Sequence, residues 1–364
     1  MKRVLILTNG PGELWCWVRP VVPLLKEAGC HVTVRMLPCQ FATGQEQRVA
    51  LDLGADCVVP AGSSLGTFRD LWNEPCDLVL QMGGDLLYGF SAARKRTPLI
   101  CYSYGRKSLM SHAERFITAW PQMVPEATDI VGDLVADAMQ MDKGPSPWEK
   151  KGAYRLALFP GSRRQIRDAS LGFLKEFREF LDEKRLSVET LTVLSPFAEE
   201  DELDIWRRAG LNPVKTGAGV VLKEADLAVT QPGTNTLELL HAGVPAIVAV
   251  PFSFLRQIPL SGIKGLVESK APGGGWLKEK LLRHAAGKQR FVSWPNRLAG
   301  RKIMTEATGD ITPKDLADMT AALLKDPSER SRQRRELMEL SGGPGAAVKV
   351  TALVSAKLYQ DGLI

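Results

Sequence analysis

The sequence has no apolar run long enough to cross a bilayer as a helix, no C-x-x-C pair and only four histidines, and no G-x-G-x-x-G turn follows its first strand. No membrane-spanning helix is therefore expected, and the opening apolar stretch Val4 to Leu7 is too short for a signal-peptide core. A cytosolic protein is expected, with contact at the inner face of the cytoplasmic membrane left open. All six cysteines fall within the first 101 residues, most of them among apolar neighbours, which fits core thiols of a reduced compartment. His31, His112, His241 and His284 are scattered without a ligand pattern, so no metal site is expected. The missing glycine fingerprint, with no acidic residue closing the strand His31 to Met36, argues against a nicotinamide cofactor; no cofactor is expected.

What is present points to a two-domain enzyme. A chain of 364 residues with 45% hydrophobic residues exceeds one ordinary core. A net charge of +6 suits an anionic partner, whether nucleic acid, phosphorylated substrate or anionic lipid, and does not choose among them.

The most informative stretch is Asp226 to Pro251, which reads as strand, breaker cluster, helix and strand. Gln231-Pro232-Gly233 punctuates it, and Leu237, Leu239 and Leu240 give helical spacing closed by Gly243. Gly233, Thr234, Asn235 and Thr236 therefore fall where a strand meets a helix N-terminus, a ready place for phosphate. Glu238, one turn on, is placed to reach a sugar hydroxyl. An ordinary βαβ unit with a Thr or Asn cap is the competing reading. The spacing G-x-x-x-x-E followed by G-x-P resembles the nucleotide-diphosphate-sugar site in the second domain of GT-B glycosyltransferases.

Along the chain, Arg3 to Asn9 is a strand running into Asn9-Gly10-Pro11-Gly12-Glu13, then a helix up to Gly29. Glu13 is either an acceptor contact or a helix-start carboxylate. The strand Asp77 to Met82 ends in Gly83-Gly84-Asp85. The glycines let a ligand approach the backbone, and Asp85 is either a general base or a helix cap. After the strand Pro98 to Tyr102, the loop through Tyr102, Tyr104, Arg106 and Lys107 mixes aromatic and basic residues; a lipid-phosphate contact and plain solvated charge both fit. Lys143 to Pro147 marks a linker. The strand Arg155 to Phe159 then ends in Pro160-Gly161-Ser162-Arg163, where a guanidinium would neutralise a diphosphate, a surface arginine being the alternative. The segment Ala271 to Arg290 reads as a basic amphipathic insertion. Asn296 and Arg297 are expected at another strand end.

Taken together, PGSR at Pro160 to Arg163, GTNTLE at Gly233 to Glu238, PNRLAGR at Pro295 to Arg301 and VGDLVADAM at Val131 to Met139 resemble lipid-A-disaccharide synthases in order and spacing. The resemblance implies an α/β, GT-B fold: two Rossmann-like, doubly wound parallel-sheet domains facing a cleft. Expected boundaries are 1–142 for the acceptor domain, 143–152 for the linker and 153–343 for the UDP-sugar domain, with 344–364 a C-terminal helix packing back on the first domain. The implied reaction is an inverting transfer of diacylglucosamine from UDP to a diacylglucosamine 1-phosphate, so the partners are a UDP-sugar and a glycolipid phosphate at a membrane surface, with no nucleic acid and a homodimer left open. Asp85, Arg163 and Asn296 fall on the family's essential positions. The donor set is Gly161, Ser162, Gly233, Thr234, Asn235, Thr236, Glu238 and Arg297. The acceptor set is Glu13, Gly84, Tyr102 and Arg106. Asp133 stands where the family carries a histidine, and the family's aromatic membrane segment is absent, so a divergent branch is an alternative to a synthase proper. A UDP-sugar epimerase on the same scaffold and a non-catalytic glycolipid binder are the other readings.

Overall fold

The computed structural model describes residues 1–39, 45–93, 97–251 and 290–360. The insertion read at 271–290 lies outside the described residues except for Arg290. Two wholly parallel sheets form the frame of the fold. The first has β1 (Arg3–Thr8), β2 (His31–Met36), β3 (Cys57–Val59), β4 (Leu78–Gln81), β5 (Leu99–Tyr102), β6 (Arg115–Thr118) and β7 (Asp129–Ile130), in the order β3-β2-β1-β4-β5-β6-β7. The second has β8 (Tyr154–Phe159), β9 (Val188–Leu194), β10 (Pro213–Lys215), β11 (Leu227–Thr230), β12 (Ala246–Pro251) and β13 (Thr305–Gly309), in the order β10-β9-β8-β11-β12-β13. Parallel pairing requires crossover helices, which cover both faces; this is why β1, β4 and β11 are continuous apolar runs rather than alternating ones.

In each sheet the strand order reverses at one point, between β1 and β4 in the first and between β8 and β11 in the second. The loops leaving these neighbouring strands diverge to opposite faces and open a crevice at their carboxyl ends, the usual ligand position in doubly wound sheets. Register puts Thr230 beside Phe159 and Gln81 beside Leu7, so the paired strands end level with each other.

The chain separates into two compact units, Met1–Met141 with Gly342–Ile364, and Asp142–Ser341. The C-terminal helix Ala346–Gln360 belongs to the first because Asp137 accepts from the backbone N–H of Gly345 (2.8 Å) and Ala347 (3.3 Å), and Lys357 pairs with Glu114. Val350, Val354 and Leu358, spaced at i, i+4 and i+8, are its buried side. The stretch read as the linker, 143–152, is anchored at Trp148, which is buried and donates its indole N–H to the Val221 carbonyl at 2.9 Å; just before it the Asp142 carboxylate accepts from Gly219 N–H. Among the described residues no helix is long and apolar enough to cross a membrane.

Candidate functional site

In the second unit three motifs meet at the β8/β11 reversal. The Pro160–Arg163 turn follows β8 and the Gln231–Thr234 turn follows β11, and Gln231 ties them by donating its amide to the Pro160 carbonyl at 3.0 Å. Gly161 has φ +107°, a left-handed geometry that a side chain resists, and an added Cβ would press on Ile166 at 3.2 Å. An apolar pocket lined by Phe159, Pro160, Phe173, Val229, Thr230 and Gln231 lies beside the turns. The helix Asn235–Ala242 points its N-terminus at the same edge; Pro232 and Gly233 are exposed there, and the Thr234 side chain makes no capping bond. Glu238 is buried, with one carboxylate oxygen accepting from the Asn235 amide at 2.6 Å.

The third motif enters differently from expectation. Asn296 is not at a strand end but inside the helix Trp294–Ala299, fully buried. Its Oδ1 accepts from Ile303 N–H (2.7 Å) and Met304 N–H (2.8 Å), and its Nδ2 donates to the Met304 carbonyl (3.0 Å) and to Glu306 (2.8 Å). These bonds occupy both polar atoms of the amide, so Asn296 shapes the loop rather than touching substrate. Glu306 completes that knot by accepting from Val292 N–H, Ser293 N–H and the Ser293 hydroxyl. Thr236, expected as a diphosphate ligand, is also buried; its hydroxyl donates to the Gly233 carbonyl at 2.8 Å and accepts from Trp294 N–H at 3.2 Å. It is the pin joining the two helices. Arg297 is exposed, with its guanidinium 4.2 Å from the centre of the Trp294 ring.

Asn296→Ala is therefore expected to act on stability. Losing the amide strands two buried N–H groups and removes its donations to the Met304 carbonyl and to Glu306, a cost on the order of 3 kcal/mol. For a unit of this size that lowers Tm by roughly 6 to 12 °C, measurable by differential scanning calorimetry. A variant that melts with the wild type but loses turnover would restore a direct catalytic role.

In the first unit the β1/β4 reversal brings together Asn9, Glu13 and Gly83–Asp85. A Cβ at Gly83 would come 2.7 Å from Asn9 Oδ1 and 3.4 Å from Glu13 Cγ, and one at Gly10 would overlap the Glu13 carboxylate, so glycine at both positions leaves room for Glu13 to fold over the turn. The Gly83–Asp85 carbonyls are all held by side chains: Gln81 donates to Gly83 O (2.9 Å) and Asp85 O (2.7 Å), and Lys107 donates to Gly84 O (2.6 Å). Asp85 is exposed, and its Oδ1 accepts from Leu87 N–H at 2.9 Å. Among the described residues no protein group bonds its Oδ2. A helix cap and a solvent-facing carboxylate oxygen thus coexist in one residue.

Burial takes Tyr102 out of the acceptor set. Its hydroxyl donates to the Gly132 carbonyl at 3.2 Å and accepts from Leu134 N–H at 3.3 Å, and the hydroxyls of Tyr102 and Tyr104 both face the Asp133 carboxylate. Burial, and then the Asp133 charge, hold both phenols well above their usual range, so they stay protonated donors. Asp133, itself buried, caps the helix Leu134–Gln140 through Val135 N–H, and the Trp17 indole donates to Tyr104 at 3.1 Å. Trp17 sits in a π-helical turn, Leu14–Val18, where the adjacent Trp15 ring stacks under Arg19. Arg106 is spent on an exposed pair with Glu126. Lys107, not Arg106, is the basic residue that the loop delivers to the Gly84–Asp85 turn. The sequence signal for it was the basic loop itself. Among the described residues no group of three His, Cys, Asp or Glu side chains is placed to hold a metal ion.

No protein-family model matches this chain. The chain is distantly similar to the lipid-A-disaccharide synthases. It is 27% identical over 228 residues to the lipid-A-disaccharide synthase of Enterobacter sp. (strain 638), an alignment covering 58% of this chain and 52% of that one. The chain thus spans about half the length of the curated relatives it matches. Among solved structures it resembles MurG of Acinetobacter baumannii, at 15% identity and TM-score 0.55 over 97% of this chain and 99% of that one. It also resembles a structure described as a UDP-N-acetylglucosamine 2-epimerase from Listeria monocytogenes, at 16% identity and TM-score 0.59 over 99% of this chain and 97% of that one. At such identities the likeness is one of fold, and the fold is GT-B-like.

Proposed function

We propose that this protein is an inverting, UDP-sugar-dependent hexosyltransferase that moves an (acyl)glucosamine from UDP to a glucosamine 1-phosphate-type lipid acceptor and releases UDP. The observation that carries this reading is the meeting of PGSR, PGTNTLE and WPNR at the reversal point of the second sheet, with Asp85 ending the corresponding strand of the first. The acceptor hydroxyl attacks the anomeric carbon and gives its proton to Asp85. The bond from that carbon to the diphosphate oxygen breaks, and the electron pair leaves with UDP. Arg163 and the backbone N–H groups at Gly233–Asn235 take up the charge on the leaving group. The apolar pocket beside the PGSR turn gives the nucleobase a wall, and Glu238 is the proposed ribose ligand, exchanging its Asn235 bond for the sugar hydroxyl. A lipid acceptor would be met at the inner face of the cytoplasmic membrane, and the exposed Leu65, Trp72, Leu87 and Leu109 of the first unit are in keeping with contact there.

Product analysis with a UDP-sugar, with and without lipid acceptor, tests the reading. Disaccharide and UDP are expected. Epimerised UDP-sugar without acceptor would favour the epimerase reading that the Listeria monocytogenes fold neighbour supports, and absence of any turnover would leave a binding protein. For Glu238→Ala, the expected loss is about 1 to 3 kcal/mol in UDP binding, a five- to 150-fold rise in Kd by calorimetry. Unchanged affinity in a folded variant removes Glu238 from the ribose site.

A further inference from the structure

One turn beyond Arg163, the helix Arg164–Glu183 carries an arginine that no motif singles out. Arg167 is 1% exposed, and its Nε and Nη2 make a paired ion bridge to the Glu202 carboxylate of the helix Glu200–Arg208, the Nη2–Oε2 distance being 2.9 Å. A bridge stapling two helices needs no more than this fork. The remaining nitrogen, Nη1, instead donates to the Ser162 carbonyl at 2.6 Å and lies 3.5 Å from the Gly161 carbonyl.

Those contacts fix the polarity of the turn. A trans peptide is planar, so each carbonyl points opposite to the N–H of the residue that follows it. With the carbonyls of Gly161 and Ser162 drawn inward to a buried guanidinium, the N–H groups of Ser162 and Arg163 face away from it. The outer side of the turn is the exposed one, carrying Ser162 and Gln165. The positive φ of Gly161 permits the required peptide orientation. Successive N–H groups so aligned form an anion-binding concavity, and Arg163 stands at its rim as the residue preceding the helix.

We propose that Arg167 is a positioning residue of the donor site, orienting the PGSR turn so that its N–H groups and Arg163 face the nucleotide phosphates, with Glu202 as the buried counter-charge. The proposal rests on the nucleotide-sugar reading above. Lysine at 167 keeps a positive charge opposite Glu202 but lacks the planar fork that spans carboxylate and carbonyl together. Arg167→Lys is expected to raise the Kd for UDP at least about tenfold while Tm moves by only a few degrees. If that variant does not accumulate folded, Arg167→Met with Glu202→Leu fills the same space without a buried charge, an exchange that proteins commonly tolerate, and is read the same way. A folded variant with wild-type UDP affinity would overturn the role of Arg167 alone. Failure of the wild-type protein itself to bind UDP would overturn the nucleotide-sugar reading.

Discussion

Asp85→Asn is expected to keep UDP-sugar binding and to lower kcat at least about a hundredfold, the lower end of the 10²- to 10⁴-fold that a positioned general base contributes. In energy this is roughly 3 to 5 kcal/mol of barrier. The substitution is nearly isosteric, and asparagine still accepts from Leu87 N–H, so the helix cap survives while the carboxylate oxygen without a protein partner among the described residues is lost. The turn is also independently braced by Gln81 and Lys107, which limits any structural loss. Single-turnover kinetics beside UDP-sugar binding separate the two quantities. Near wild-type turnover would make Asp85 a cap and nothing more. Glu13 would then be the remaining candidate base of the first unit, because Asp133 is buried, caps a helix and faces two tyrosine hydroxyls.

Arg163→Ala should fail in a different way, harming donor affinity and rate together. Its guanidinium is proposed to meet the diphosphate both in the bound donor and as charge builds on the leaving group, so removing it raises KM and lowers kcat. Loss of one preorganised partner to a developing charge typically costs about 10²- to 10³-fold in kcat. The side chain makes no capping bond at the start of the helix Arg164–Glu183, so the helix is expected to persist. Steady-state kinetics over a range of donor concentration, with circular dichroism as a check on the fold, measure both effects. A variant with kcat intact and only KM raised would show that Arg163 binds donor and transition state equally, with no added contribution as charge develops on the leaving group.

The sequence went furthest where the physics is local. Apolar runs alternating with helical spacing gave the order of the long elements. The breaker clusters at 10–12, 83–84, 160–162 and 231–233 fell at the carboxyl ends of strands because only such residues suit the turn from strand to helix. Short elements escaped. The edge strand Pro213–Lys215, the outer strand Thr305–Gly309 and the helices Glu46–Asp52 and Ala218–Leu222 hold too few periodic residues for a pattern to rise above their surroundings.

Each motif residue's type was legible, but where its polar atoms are spent was not. Thr236 and Asn296 have the look of ligand residues, yet Thr236 bonds Trp294, 58 positions away, and Asn296 is used up inside its own loop and on Glu306. Tyr102 seemed a loop aromatic and is a core hydroxyl serving Gly132 and Leu134. Arg167 carried no motif and proves to hold one, through Glu202, 35 positions away. The sequence by itself determined the α/β alternation, the glycine turns and the positions of Asp85, Arg163 and Glu238 after β4, β8 and β11. Only the tertiary structure decided which polar side chains remain open to a ligand and which are consumed in holding the turns, because a buried hydrogen-bonding group must find a partner and that partner can lie far along the chain.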